Sequence, residues 1–329
     1  MQVDTRADTM ANIASYFQVS SDKLQRHYKH QVSGFKQWDQ FNVADDYLIY
    51  PENITEQISI DDVSLSKGEL YTIVTNKNTR CQNKKSLIAI INGTDAKTIE
   101  KALQRIPQVQ RNKVKEITMD MAPNMALAAR NSFINSNAVI DRFHVVRLVS
   151  DALQHIRTSF RWQAIEQENQ AINQAKEKGV KYKTVYLSNG DSLKELLARS
   201  RYILYKYEDQ WTLSQAKRAA ILFEKYPKIK QAYKLSMSFR NIYKVEHKED
   251  AVIKFRKWII KVNELKIDEF NTVTHSLEHH LDNILNFFNN RNTNANAESF
   301  NSKIKGFRAN LRRVTDVKFF LFRLEKLFA

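Results

Sequence analysis

Six glycines and four prolines in 329 residues leave this chain few built-in breaks. Such scarcity lies far below ordinary usage, favours helix, and excludes collagen-like, linker-rich and glycine-rich β-repeat architectures. Against that helical background, residues 55–150 change period. Ile58-Ser59-Ile60-Asp61-Asp62-Val63 alternates as a strand does, and 70–75 and 87–91 are β-branched runs that also read as strands. A helix is expected over 95–106, with Asp95 at its start, then a strand over 114–119 that ends at Asp120. Pro123 suits the first turn of a helix over 123–134. A strand over 138–141 and a helix from about Val145 follow. The sum is a mixed α/β sheet whose strand order the pattern leaves open.

The flanking stretches are helical and basic. Residues 1–54 hold helical patterns over 10–17 and 22–28, separated by Val19-Ser20-Ser21 with a serine N-cap. The second helix carries Lys23, Arg26, His27 and Lys29, the order of a helix-turn-helix that binds DNA. The competing reading is a helical hairpin that packs on the next domain. Residues 151–290 read as an all-α insertion with breaks near Gly179, Asn189-Gly190 and Pro227. Residues 291–329 read as an amphipathic basic helix, interrupted near Gly306. From 301 to 329 it holds eight Lys/Arg against two Asp/Glu.

Across the chain, 52 Lys and Arg face 36 Asp and Glu, a net charge of +16, which points to a polyanionic partner, most simply nucleic acid. A hydrophobic fraction of 43% supports a real core and argues against disorder of the whole chain. The lone Cys81 excludes an internal disulfide framework and a multi-cysteine zinc site, and fits a reducing compartment. No apolar run reaches about 18 residues, so the expectation is a soluble, cytoplasmic protein without a membrane partner.

The candidate chemistry lies in acids. Asp61 and Asp120 are expected at the ends of hydrophobic strands, where a carboxylate is hard to bury without a positive neighbour. Two such groups on adjacent strands make a natural cation site, and Mg²⁺ takes oxygen ligands while keeping several waters. Glu298 can supply a third carboxylate. Glu298, Asn301 and Lys305 share one helix face and offer an anion, an amide and a cation. This set suits two-metal phosphodiester chemistry. Taken singly, each acid also suits a strand end or a helix cap. Asp141-Arg142-Phe143-His144 has two readings: an aspartate cap beside a half-buried histidine, or a pair that orients the strand carrying the metal ligand.

These blocks resemble the DDE transposases of bacterial insertion sequences. Ile58 to Val63 looks like their first acidic strand. Ile117-Thr-Met-Asp120-Met-Ala-Pro, followed by Ala138-Val-Ile-Asp141-Arg-Phe-His144-Val-Val, is similar to the second-aspartate block and its D-x-x-H motif. Asn294-Ala-Asn-Ala-Glu298-Ser-Phe-Asn301-Ser-Lys-Ile-Lys305 resembles the third block. The ISL-three group fits best. The resemblance implies a ribonuclease-H-like catalytic domain with a helical insertion before the glutamate. It also implies Asp61, Asp120 and Glu298 as ligands of two Mg²⁺ or Mn²⁺ ions, with Asp141, His144, Asn301 and Lys305 in support. The implied activity is metal-dependent cleavage and strand transfer at insertion-sequence ends, by a homodimer or larger assembly on DNA, associated with the nucleoid when active. The alternative is a regulatory or catalytically degenerate DNA-binding protein on the same fold.

Two departures qualify that picture. The group's usual Cys-rich zinc-binding segment has no counterpart in this sequence, so end recognition is expected to be weaker, built differently, or supplied by a separate polypeptide. The acidic pair after the first strand is Asp61-Asp62 rather than Asp-Glu, and a one-residue slip would exchange their faces, so Asp62 is the rival first ligand. Lys303, Lys305, Arg308, Arg312 and Arg313 are the expected phosphate contacts of the last helix, whereas Lys23, Arg26 and Lys29 of the first segment are expected to act on preference for the terminal sequence. Trp38, Trp162, Trp211 and Trp258 are expected in helical cores, with stacking on an extruded base as the alternative for one of them.

Overall fold

The computed structural model describes residues 2–66, 69–77, 86–291, 293, 295–311 and 314–329. Cys81, Arg312 and Arg313 lie outside the described residues. The chain forms two compact units, one from Met1–Asp141 with Asn290–Ala329 and the other from Arg142–Asn289.

After a single helical turn at Gln2–Thr5, the first unit continues with α1 (Met10–Tyr16) and α2 (Ser21–His27). Thr9 caps α1 by accepting from the Asn12 N–H, and Ser20 caps α2 by accepting from Lys23. A six-stranded sheet follows, built from β1 (Tyr47–Ile49), β2 (Gln57–Ser66), β3 (Glu69–Asn76), β4 (Leu87–Asn92), β5 (Glu116–Met119) and β6 (Asn137–Ile140). Helix α3 (Ala96–Leu103) leads from β4 towards β5, and α4 (Pro123–Ser132) joins β5 to β6. The strand order is β1-β4-β3-β2-β5-β6. The pairs β1–β4, β4–β3 and β3–β2 are antiparallel, whereas β2–β5 and β5–β6 are parallel. An antiparallel meander continued by parallel strands through helical crossovers is the ribonuclease-H-like arrangement.

Three sequence expectations are corrected here. Residues 1–54 are not wholly helical, because β1 pairs with β4 at the sheet edge. Asp61 is not at a strand end: β2 continues to Ser66, since Asp61 and Asp62 pair with Ile73 and Thr72 of β3. The helix from β6 starts at Arg142 rather than near Val145.

The second unit is all-helical. Its main helices are α5 (Arg142–Glu177), α6 (Leu193–Arg199), α7 (Leu213–Lys225), α8 (Pro227–Ile242), α9 (Lys248–Leu265) and α10 (Asn271–His279). The breaks fall where the sequence puts them: Gly179 and Gly190 adopt φ of 68° and 79°, and Pro227 opens α8. Phe239 packs edge-on against Phe255 and Trp258, at ring separations of 5.5 and 4.8 Å. The Trp258 indole N–H donates to the Leu235 carbonyl at 2.9 Å. Asp191 is buried, with Arg218 at 2.8 Å and Arg199 also paired to it. Trp162 departs from the core expectation, since it is 64% exposed on α5. No helix among the described residues is long and apolar enough to cross a membrane.

The chain returns to the first unit through α11 (Ala295–Asn310) and α12 (Val317–Phe328). Contrary to the expected interruption at Gly306, α11 runs through it, and the break comes between Asn310 and Val317. Phe300, Ile304 and Phe307 recur along one face of α11 and join a core with Val63, Tyr71 and Ile73 of the sheet. Met10, Ile13, Tyr28, Phe35 and Trp38 from the first segment enter the same core, together with Phe319, Phe320 and Phe322 of α12. Trp38 Nε1 and the Tyr50 hydroxyl both donate to Glu325 Oε2, at 2.6 and 2.7 Å. The opening helices therefore share the apolar core that seats α11 on the sheet.

Candidate active site

Three aspartates come level where parallel pairing ends. Ser59 pairs with Thr118, and Met119 with Ile140. Carried two steps on from the first pair and one from the second, these registers set Asp61, Asp120 and Asp141 side by side at β2, β5 and β6. Because residues in register across parallel strands share a face, the carboxylates project to one side. The Asp141 N–H donates to the Met119 carbonyl at 2.8 Å, which continues the ladder to the acid. Asp120 Oδ1 accepts from the Ala122 N–H at 2.8 Å, a local turn that bends the chain out of β5 into α4.

Helix α11 covers this side. Asn301 Nδ2 donates to Asp61 Oδ2 at 2.7 Å, so Asp61, rather than Asp62, faces α11. Glu298 sits one turn earlier, in the first turn, where a carboxylate is favoured by the helix dipole. Its carboxylate comes within 4.8 Å of that of Asp141. Asp141 is thus brought closer to the glutamate than a purely supporting residue requires. The sequence carries only part of the signal: Asp120 and Asp141 each directly follow their strand, but only the pairing of β6 beside β5 puts them level and brings Asp141 to the glutamate.

Asp62 points to the other side, where its Oδ1 accepts from the Thr72 hydroxyl at 3.1 Å. Burial pushes its carboxyl up to about 6 against the lowering effect of the Thr72 bond, and the charges of Asp120 and Asp61 add to the rise. An acid with a raised folded pKa gains protons on folding, so its contribution to stability is greatest while it stays protonated and fades as pH rises through about 6. In metal-free protein, Asp62→Asn is therefore expected to raise the melting temperature by about 3 °C near pH 7.5 and by much less near pH 4. Equal shifts at both pH values in melts with a chelator would contradict this.

The donor set fits a hard divalent cation. Its acids offer oxygen ligands crowded with like charge, and Asn301 Oδ1 is a buried acceptor with no hydrogen-bond partner among the described residues. A cation, or a water on one, would satisfy that oxygen.

The remaining predicted residues are spread along the helices. Lys303 and Lys305 are exposed on α11. Arg308 donates to the Ser64 carbonyl at 3.1 Å, which ties α11 to β2. Lys23 and Arg26 are exposed on α2. Lys29 instead turns inward, paired with Asp316 and lying over the Phe35 and Phe319 rings. His144 is half-buried on the first turn of α5.

A sheet of this order that ends in a row of aspartates, overlaid by a helix with a glutamate in its first turn, defines a ribonuclease-H-like domain with an acidic edge. The transposase family model of the ISL-three DDE group matches residues 58–324, and the chain belongs to that family. Membership carries a role in transposition, a DNA substrate and the family's general use of divalent metal. No curated protein and no solved structure matches the chain.

Proposed function

We propose that the chain binds the ends of an insertion sequence and catalyses both strand cleavage and strand transfer, with Asp61, Asp120 and Glu298 as ligands of two Mg²⁺ or Mn²⁺ ions. The supporting observation is the Asn301–Asp61 hydrogen bond, because it seats the glutamate-bearing helix on the row of strand aspartates. Bound ions would activate a water or a 3′-hydroxyl and stabilise the leaving oxygen. The chain's own part is to fix the ligands: Asn301 orients Asp61, the Ala122 amide orients Asp120, and the apolar face of α11 sets the height of Glu298. Asp141, beside Glu298, completes the acidic surface, and His144 acts in support. The test is cleavage and joining of labelled DNA carrying the element's own ends, with Mn²⁺ or Mg²⁺. Wild-type protein that binds such DNA and neither cuts nor joins it would favour the regulatory alternative.

DNA is held by the basic surface. Lys303 and Lys305 contact phosphates, whereas Lys23 and Arg26 of α2 act on preference for the terminal sequence. Replacing Lys303 and Lys305 by alanine is expected to weaken binding on every duplex and to reduce the slope of log K against log salt by roughly 2. An unchanged slope in a salt titration would take this face of α11 off the DNA path. A homodimer or larger assembly forms on DNA in the cytoplasm, and a separate polypeptide contributes to end recognition.

A further inference from the structure

A buried lysine lies on the same side of the sheet as the aspartate row. Lys77 follows β3, and its backbone N–H donates to the Gln57 carbonyl at 3.0 Å, so the ladder runs on past Asn76. That register puts Lys77 opposite Gln57 and, across β2, level with Glu116. Its side chain is only 6% exposed. The ammonium donates to the Thr118 hydroxyl, and Thr118 precedes Asp120 on the same face of β5. It stands 3.7 Å from Glu116 Oε1, while Glu116 Oε2 accepts from Asn290 Nδ2 at 2.9 Å. Ser59 and Thr75 are buried on this side as well. A charged, polar stratum inside a sheet is costly unless it answers another charge. Burial lowers the Lys77 ammonium to about 8, while the charges of Glu116 and Asp141 act to raise it. Glu116 answers one unit of that charge, and the β5–β6 register, with Thr118 opposite Val139, sets Asp141 two residues on along the same face of the sheet as this stratum.

We infer that Lys77 is a positioning residue, the internal counter-charge that steadies Asp141, and through it the aspartate row, while no cation is bound. This rests on the reading of that row as a metal site. Like-charged carboxylates at neighbouring strand ends repel one another, and the repulsion is strongest before a divalent ion arrives. A fixed ammonium reached through Thr118 offsets part of it without occupying the place of the metal. The same charge must then oppose the incoming cation. Lys77 thus lends order to the metal-free site and weakens its affinity for metal.

The test uses full-length protein in a Glu116→Gln background, so that removing the lysine strands no buried carboxylate. A double-mutant cycle joins Lys77→Met and Asp141→Asn, read by thermal melts in a chelator. Lys77→Met is expected to lower the melting temperature by about 3 °C more when Asp141 is present than when it is Asn. An equal loss in both backgrounds overturns the proposal. Mn²⁺ titration by calorimetry gives the second readout, and Lys77→Met is expected to tighten Mn²⁺ binding about tenfold over Glu116→Gln alone. A purely structural lysine would not tighten it, so equal or weaker affinity also overturns the proposal. If the wild-type chain binds no Mn²⁺, the metal reading fails by itself, and the cycle alone decides the role of Lys77.

Discussion

Glu298→Gln protein is expected to bind transposon-end DNA as wild type does and to cut and join it at least about a thousandfold more slowly. The substitution keeps the length of the side chain and the geometry of α11, since the residue lies in the first turn and α11 is seated through Phe300, Ile304 and Phe307. What it removes is the negative charge that places a cation, and phosphoryl transfer depends on that charge for several kcal/mol of transition-state stabilisation. Binding is expected to survive, because on the proposed reading it rests on lysine contacts to phosphates. Asp120→Asn and Asp61→Asn are expected to fall as far, while His144→Ala slows the reaction without abolishing it. Asp62→Asn is expected to be mild, because Asp61 is the member of the pair that Asn301 engages. Folded Glu298→Gln protein that binds end DNA and reacts at the wild-type rate would sink the assignment.

How much of this arrangement the sequence shows depends on the range of the interaction that fixes each element. Local rules serve Ser20 as an N-cap, Pro123 as a helix opener, and Gly179 and Gly190 as breaks, because each depends on near neighbours. Strand β1 is invisible to such rules. Tyr47-Leu48-Ile49 is too short to show a period, and it becomes a strand only by pairing with Ala89, Ile90 and Ile91. The extension of β2 through Asp61 and Asp62 is hidden for a related reason: two adjacent acids read as a strand end, and only the β3 ladder carries the backbone past them. Lys77 sits in a polar run that reads as a loop, and its burial follows from register with Gln57 and Glu116. The candidate acids themselves are legible because their strings are distinctive. The closeness of Glu298 to Asp141 is not legible, since it requires knowing that β6 lies beside β5 at the edge of the sheet.

Phe307→Ala is expected to cost about 4 kcal/mol and to lower the melting temperature by roughly 10 °C, although the residue touches no acid of the site. Phe307 is 1% exposed on the apolar face of α11. Its ring stacks on Phe320 of α12 at 5.5 Å, and the Arg323 guanidinium lies over it at 5.1 Å. Arg323 is itself buried; its Nη2 donates to the Arg6 and Asp8 carbonyls at 3.4 Å, while its Nε has no hydrogen-bond partner among the described residues, so the ring face adds to what holds that charge. Truncation removes the transfer energy of the ring, leaves a cavity between α11 and α12, and withdraws the ring from the cation. Because Phe300, Ile304 and Phe307 seat α11 against Val63, Tyr71 and Ile73, the loss reaches the register that lets Asn301 meet Asp61. Cleavage should therefore fall steeply with temperature in Phe307→Ala and recover on cooling, whereas in Glu298→Gln it is lost at every temperature while the melting temperature stays near wild type. A Phe307→Ala protein that melts within about 2 °C of wild type, less than the shift that 1 kcal/mol would give, would mean that α11 is held by something other than this apolar face.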